Sequence, residues 1–214
     1  MTGGLFFFYL HQNINHMLLP NYSGNTLEAG IDEAGRGCLA GPVVAASVIL
    51  PPDYRHALLN DSKQLSQKQR EQIREDVLRD AVAWAIGEAT PAEIDAINIL
   101  QATYLAMHRA IAGLGVQPAY LIIDGNRFKP YEPLPHACIV KGDGKYLSIA
   151  AASVLAKTHR DDLMGNLAKE YGQYGWEKNA GYPTRAHRAA IAAGGASPYH
   201  RQSFRLLPDE LSLC

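Results

Sequence analysis

The stretch Ala29 to Leu50, AGIDEAGRGCLAGPVVAASVIL, constrains the fold more than any other part of the chain. An apolar lead-in, Ala29-Gly30-Ile31, runs straight into two acids, Asp32 and Glu33. A glycine-rich turn follows at Gly35-Arg36-Gly37, and then an apolar, β-branched run from Val43 to Leu50. This pattern predicts a strand, a turn and a second strand. The link is short, so the two strands are expected to pair antiparallel. Acids at a strand end are costly to bury unless something positive sits with them. Glycines beside them let the backbone approach a ligand with no side chain in the way. Adjacent strand residues point to opposite faces. Asp32 and Glu33 therefore share one site only if the strand ends or bulges between them, which the glycine turn makes the expectation.

The remaining elements follow from periodicity and punctuation. The first strand is expected over Glu28 to Glu33 and the second over Val43 to Leu50, stopped by Pro51-Pro52. After a loop holding Asn60-Asp61-Ser62-Lys63, the pattern Ser66 to Gln69 is a capping box that opens a polar helix to about Arg79. Ala81 to Ala89 reads as a third strand, with Val82, Trp84 and Ile86 alternating on one face. Thr90-Pro91-Ala92-Glu93 starts another helix, with a Thr cap and Pro in the first position. It runs to Ala112 with a break near Asn98, and Gly113 and Gly115 end it. Short apolar strands are expected over Ala119 to Ile123 and His136 to Val140, followed by Asp124 and by Lys141-Gly142-Asp143 respectively. A long helix runs from Leu147 to about Tyr171, and its small residues Ala150 to Ser153 suit close packing on a sheet. Gly172 to Gly181 reads as an aromatic loop, Thr184 to Ala193 as a short helix, and the tail as irregular. Strands and helices in this order point to an α/β sheet covered by helices.

At 214 residues the chain can bury one sizeable core with a small appended lobe. A net charge of −1 offers no global basic field, so nucleic-acid binding would need a local patch. Cys38, Cys138 and Cys214 have no paired or metal-like spacing, which fits a reducing, cytoplasmic compartment without disulfides. Met1 to His16 contains an apolar patch but no basic start or small-residue cleavage site, and it is too short to span a membrane. Met17 is the expected natural start. Residues 1–16 then form an upstream extension and 17–214 a single domain, with a C-terminal helical lobe over about 160–214.

Three acidic sites share one position: Asp32-Glu33, Asp124 and Asp143 each lie at or just past the end of an apolar strand. Ligands collect at such edges in open α/β sheets. Four carboxylates converging there would repel one another unless cations bind. Oxygen ligands favour Mg²⁺ or Mn²⁺, and no His-Cys cluster offers zinc a place. Two such ions about 4 Å apart suit in-line phosphoryl displacement. A single Asp after a strand is usually a turn residue, so the signal lies in the recurrence. Asp53, Asp76, Asp80, Glu132, Asp161 and Asp162 read as turn, cap or surface groups. A rival reading takes Gly35 to Ala40 as a dinucleotide fingerprint with Asp53 as its ribose acid. It fails on context, because the fingerprint must open a helix and here Gly41-Pro42 leads into a strand.

Taken together, DEAGRG-x-LAGPVVAA, N-DSK-x-L, I-DGN, V-KGD, IAAAS-x-LAK-x-x-RD, GYPT-x-x-H and HR-x-SF resemble the bacterial ribonuclease HII family, the type 2 ribonucleases H, from about Leu27 to Phe204. The resemblance implies a ribonuclease H-like fold: a mixed central sheet flanked by helices, with a C-terminal helical lobe. It implies an endoribonuclease that cuts the RNA strand of RNA–DNA hybrids. It also implies incision of duplex DNA on the 5′ side of an embedded ribonucleotide, leaving 3′-hydroxyl and 5′-phosphate ends. Ribonucleotide excision repair and RNA primer removal are the roles this implies. The family's four carboxylates fall on Asp32, Glu33, Asp124 and Asp143, with two Mg²⁺ or Mn²⁺ ions between them. Its ribonucleotide-sensing turn falls on Gly35, Arg36 and Gly37, and reads the 2′-hydroxyl that separates RNA from DNA. Tyr182 matches the tyrosine that stacks on the neighbouring deoxyribose. Lys63 and Arg36 match candidate phosphate contacts, and Lys157 and Arg160 are left between packing and phosphate contact. The implied partners are RNA–DNA hybrid and ribonucleotide-containing duplex, with a monomer and no membrane. Thr158-His159 departs from the family's usual hydrophobic residue, and the terminal DELSLC shows no sliding-clamp motif. Three alternatives are weaker: a non-catalytic binding module, an integrase-like DNA nuclease and a dehydrogenase. Uncompensated acids would repel phosphate, and a DNA nuclease has no use for a 2′-hydroxyl sensor.

Overall fold

The computed structural model describes residues 18–59 and 65–208. The expected upstream extension, the Asn60-Asp61-Ser62-Lys63 segment with candidate Lys63, and the terminal DELSLC with Cys214 lie outside the described residues. Five strands form one sheet: β1 (Glu28–Ala34), β2 (Val43–Ile49), β3 (Ala83–Ala89), β4 (Tyr120–Asp124) and β5 (His136–Ile139), in the order β3-β2-β1-β4-β5. β1 pairs antiparallel with β2, and β2 with β3; β1–β4 and β4–β5 are parallel. The helices are α1 (Gln67–Asp80), α2 (Pro91–Ala112), α3 (Leu147–Glu170), α4 (Trp176–Asn179) and α5 (Arg185–Gly194).

Strand alternation builds two cores. Ala29, Ile31, Val43, Ala45 and Ile49 face α2, while Val44, Ala46 and Val48 face α1 and α3. The expected capping box at Ser66 forms, and the expected Thr90 cap proves to be a second box. The Ser66 hydroxyl accepts from Gln69 N, and the Thr90 hydroxyl from Glu93 N. The break in α2 falls at Asn98, whose φ is 65°. Its Oδ1 accepts from Leu100 N (3.0 Å) and Gln101 N (3.2 Å), recapping the helix beyond the kink. On β3 the small residues Ala85, Gly87 and Ala89 are the buried set, while Val82 and Trp84 are exposed. The reason is the closeness of α2, since a Cβ on Gly87 would overlap Ala106 O.

α3 lies as close to β1. A Cβ on Gly30 would overlap backbone atoms of Ser148 and Ile149, which is why the helix begins with small residues over the strand. The aromatic loop expected over Gly172 to Gly181 instead contains a 3-10 turn, Gly172–Tyr174, and α4. Tyr174 and Trp176 join Leu39, Ala40, Met164 and Ile191 in a third core. Too few residues separate the glycines there for a helical period to show in the sequence.

Gly30→Ala is expected to destabilise the protein by about 3 kcal/mol or more, because backbone cannot yield as a flexible side chain can. Gly165→Ala on α3, where a Cβ meets nothing within 4 Å, is expected to stabilise it by up to about 1 kcal/mol. Urea midpoints of the two variants check both.

Candidate active site

Asp32 and Asp124 stand side by side because of register. Ile31 pairs with Ile123 in the parallel β1–β4 ladder, so the next residues are two aspartates pointing to the α3 face. Asp143 comes from the other direction, in a 3-10 turn, Gly142–Gly144, entered through Lys141 at φ 57°. Gly142 N donates to Asp124 Oδ1 at 2.7 Å, tying turn to strand. Oxygens of Asp32, Asp124 and Asp143 all lie within 4.8 Å of one another. Asp32 is 4% exposed and Asp143 5%. Burial, and then the charges of Glu33 and Asp124, push the Asp32 carboxyl well above the usual carboxylate range. Hydrogen bonds from Ser153 and from Glu33 N (2.7 Å) oppose this more weakly.

Glu33 corrects one expectation. β1 neither ends nor bulges at the two acids; it pairs regularly with β2 through Ala34. Glu33 therefore leaves the strand toward the other face and is not one of the cluster of three, yet its charge raises the Asp32 pKa more than that of Asp124 does. Arg36 Nη1 lies 3.1 Å from Glu33 Oε1. The side chain still borders the cleft, about 250 Å³, that also contains Asp32, Asp124, the 35–37 turn, Ser153, Lys157 and Tyr182. Ser153, read from sequence as packing, is thus part of the site. It is a polar residue in an otherwise small, apolar stretch, which was the signal available. A larger polar groove, about 580 Å³, adjoins the cleft at Lys157 between α1, α3 and α4. The smaller cleft is the one that holds Asp32, Glu33 and Asp124.

The turn has two different glycines. Gly35 is at φ +93°, and a Cβ on it would overlap Arg160 Nε, so the protein itself requires glycine. Gly37 has no such φ, and a Cβ on it would meet nothing within 4 Å. The space beside its Cα is open. Arg160 is 1% exposed and is structural: it donates to Ala40 O, Pro42 O and Ala180 O at 2.8–3.0 Å. Lys157 Nζ lies 2.5 Å from Asp161 Oδ1, one turn along α3. Tyr182, 41% exposed, overhangs the cleft from the segment between α4 and α5, and burial raises its pKa.

A mixed sheet of this order, flanked by helices and carrying acids at its strand ends, is the ribonuclease H-like architecture. Comparison with known proteins narrows this. Residues 29–207 match the family model described as Ribonuclease HII. The ribonuclease HII of Bacteroides fragilis is 63% identical over 193 residues, 90% of this chain and 96% of that protein. That of Parabacteroides distasonis is 61% identical over 197 residues, 92% of this chain and 99% of that protein. The ribonuclease HII of Archaeoglobus fulgidus, solved in complex with PCNA, superposes with a TM-score of 0.70 at 27% identity, covering 85% of this chain and 96% of that one. The chain belongs to the ribonuclease HII family. It is a ribonuclease H hydrolase acting on RNA–DNA hybrids. Its acidic cluster suits a divalent metal, being all oxygen, buried and self-repelling. No helix among the described residues is long and apolar enough to cross a membrane.

The raised Asp32 pKa gives a signed prediction. Its folded carboxyl binds protons more tightly than the unfolded one, so metal-free stability is expected to fall as pH rises above the usual carboxylate range. Asp32→Asn should raise the melting temperature of the metal-free protein at neutral pH and abolish further stabilisation by Mg²⁺. Thermal melts with and without Mg²⁺ read both. Gly37→Ala should leave the melting temperature within about 0.5 kcal/mol of unchanged stability while impairing cleavage.

Proposed function

We propose that this ribonuclease H also incises duplex DNA on the 5′ side of a single embedded ribonucleotide, by a two-metal in-line displacement leaving 3′-hydroxyl and 5′-phosphate ends. The observation that carries the reading is the cleft itself, where the carboxylates, a glycine turn with an open Cα and an exposed tyrosine share one small space. Asp32, Asp124 and Asp143, with Glu33 at the margin, are the proposed catalytic carboxylates and would hold Mg²⁺ or Mn²⁺. Bound there, the ions supply an acidified water and charge stabilisation at the leaving oxygen.

The chain's own groups do the recognition. Gly35, Arg36 and Gly37 read the 2′-hydroxyl, with the missing side chain at Gly37 leaving room for the sugar. Tyr182 presents an aromatic face to the next sugar, where a deoxyribose stacks flat because it lacks the 2′-oxygen. Arg36, half exposed, reaches phosphate, and Lys63 remains a proposed phosphate contact. Ser153 holds Asp32 in place by hydrogen bond. These roles fit repair of misincorporated ribonucleotides and removal of RNA primers.

The test is cleavage of a DNA duplex carrying one ribonucleotide, with Mg²⁺, Mn²⁺ or EDTA. A metal-dependent cut immediately 5′ of the ribonucleotide is expected, and Asp124→Asn should abolish it in a folded protein. Cutting confined to long hybrids would sink the junction reading. Tyr182→Ala is expected to reduce junction cleavage by about 10²-fold, since misplacing a positioned substrate costs that much, while plain-duplex binding stays unchanged. Equal losses in cleavage and binding would leave Tyr182 a structural residue.

A further inference from the structure

The turn and Tyr182 sit on different segments, yet two consecutive buried residues hold them both. Arg201, fully buried, donates to Gly35 O (2.7 Å), Arg36 O (2.9 Å), Gly41 O (3.0 Å) and Pro42 O (3.2 Å). A trans peptide points its C=O and the following N–H in opposite directions. Drawing the Gly35 and Arg36 carbonyls inward therefore turns the Arg36 and Gly37 N–H groups outward, away from Arg201. Those are the donors a sugar hydroxyl or phosphate would meet.

His200 acts on the other side. Ser197 N donates to its Nδ1 (2.9 Å), so the ring proton sits on Nε2. That Nε2–H faces His187 Nε2 at 3.1 Å, which also accepts from Trp176 Nε1 (3.0 Å). His187 must then carry its proton on Nδ1, which donates to the Tyr182 carbonyl at 2.9 Å. Trp176 and His200 share the one lone pair of His187 Nε2, and both donors require the same His187 tautomer. Burial lowers the pKa of both rings, that of His200 to about 4, so both are neutral near pH 7. The two arms are then locked to each other. Ala40 bridges to His200, Arg201 N donates to Leu39 O (2.8 Å), and Leu39 N donates to Gly181 O (2.8 Å).

We propose that the His200–Arg201 pair is a positioning element that fixes the Gly35-Arg36-Gly37 turn and Tyr182 in one register, and so sets selectivity for a ribonucleotide followed by a deoxyribonucleotide. The proposal rests on the junction reading above. A uniform hybrid offers a 2′-hydroxyl at every step and does not need that register, whereas a single ribonucleotide does.

The test compares His200→Asn and His200→Gln in the full chain. Asn keeps an acceptor for Ser197 N but has no donor that reaches His187; Gln places a donor near the lost Nε2–H. His200→Asn is expected to lose about tenfold or more in kcat on the single-ribonucleotide duplex, the scale of a misplaced recognition group. Its cleavage of uniform hybrid should hold, and His200→Gln should restore the junction activity. Equal losses in both variants on both substrates, following a lower melting temperature, would reduce the pair to a structural role. A second readout needs no substrate. In ¹⁵N spectra of histidine-labelled protein, His187 should be the Nδ1–H tautomer and His200 the Nε2–H tautomer; the reverse assignment overturns the chain of bonds. If the unsubstituted protein cuts hybrids but not the single-ribonucleotide duplex, the junction reading falls and takes the selectivity claim with it, whatever the tautomers.

Discussion

Three carboxylates within 4.8 Å of one another, two of them almost wholly buried, is an arrangement that the chain alone disfavours. Burial and like charge both push protons onto Asp32. The fold has to hold these acids against their repulsion, and it does so with backbone. Asp32 and Asp124 are pinned by the parallel β1–β4 register, and Asp143 by a turn whose Gly142 N–H is bound to Asp124. α3 is pressed on β1 at Gly30, which brings Ser153 onto Asp32. A divalent cation bound there would convert this repulsion into affinity.

The glycine turn beside the cleft rests on a second framework, of carbonyls around two buried guanidiniums. Arg160 and Arg201 together hold the segment from Gly35 to Pro42 and the carbonyl of Ala180. Taking such charges from water is costly, and the cost is met by hydrogen bonds that neutral side chains could not supply. The reward is rigidity in a turn that has no regular secondary structure of its own. Asp95 on α2 extends this order, accepting from Gln202 N and Ser203 N (both 2.9 Å) and so fixing the residues next to Arg201.

Much of this was legible in the sequence, for local reasons. Caps, glycines and alternation placed the strands and helices to within a few residues, and the kink at Asn98 was visible as a break in pattern. The three clustered aspartates could be found because each follows an apolar strand. What could not be read is long-range. That β1 stays regular past Asp32 and Glu33 depends on its pairing with β2 through Ala34, not on the glycines that follow. Arg160 stayed open between packing and phosphate contact because a cation on a helix looks the same whether its head meets solvent or carbonyls. His187 and His200 belong to motifs quoted from sequence, but their bond joins residues on separate segments and no spacing encodes it. α4 was hidden by its shortness.

The acidic cluster is proposed to hold divalent cations. Anomalous diffraction from crystals of the unsubstituted protein grown with Mn²⁺ tests it most directly. A manganese peak bonded to Asp32, Asp124 and Asp143 at about 2.1 Å is expected, with oxygen ligands completing an octahedron. Manganese bound elsewhere, with these three carboxylates unliganded, would contradict it.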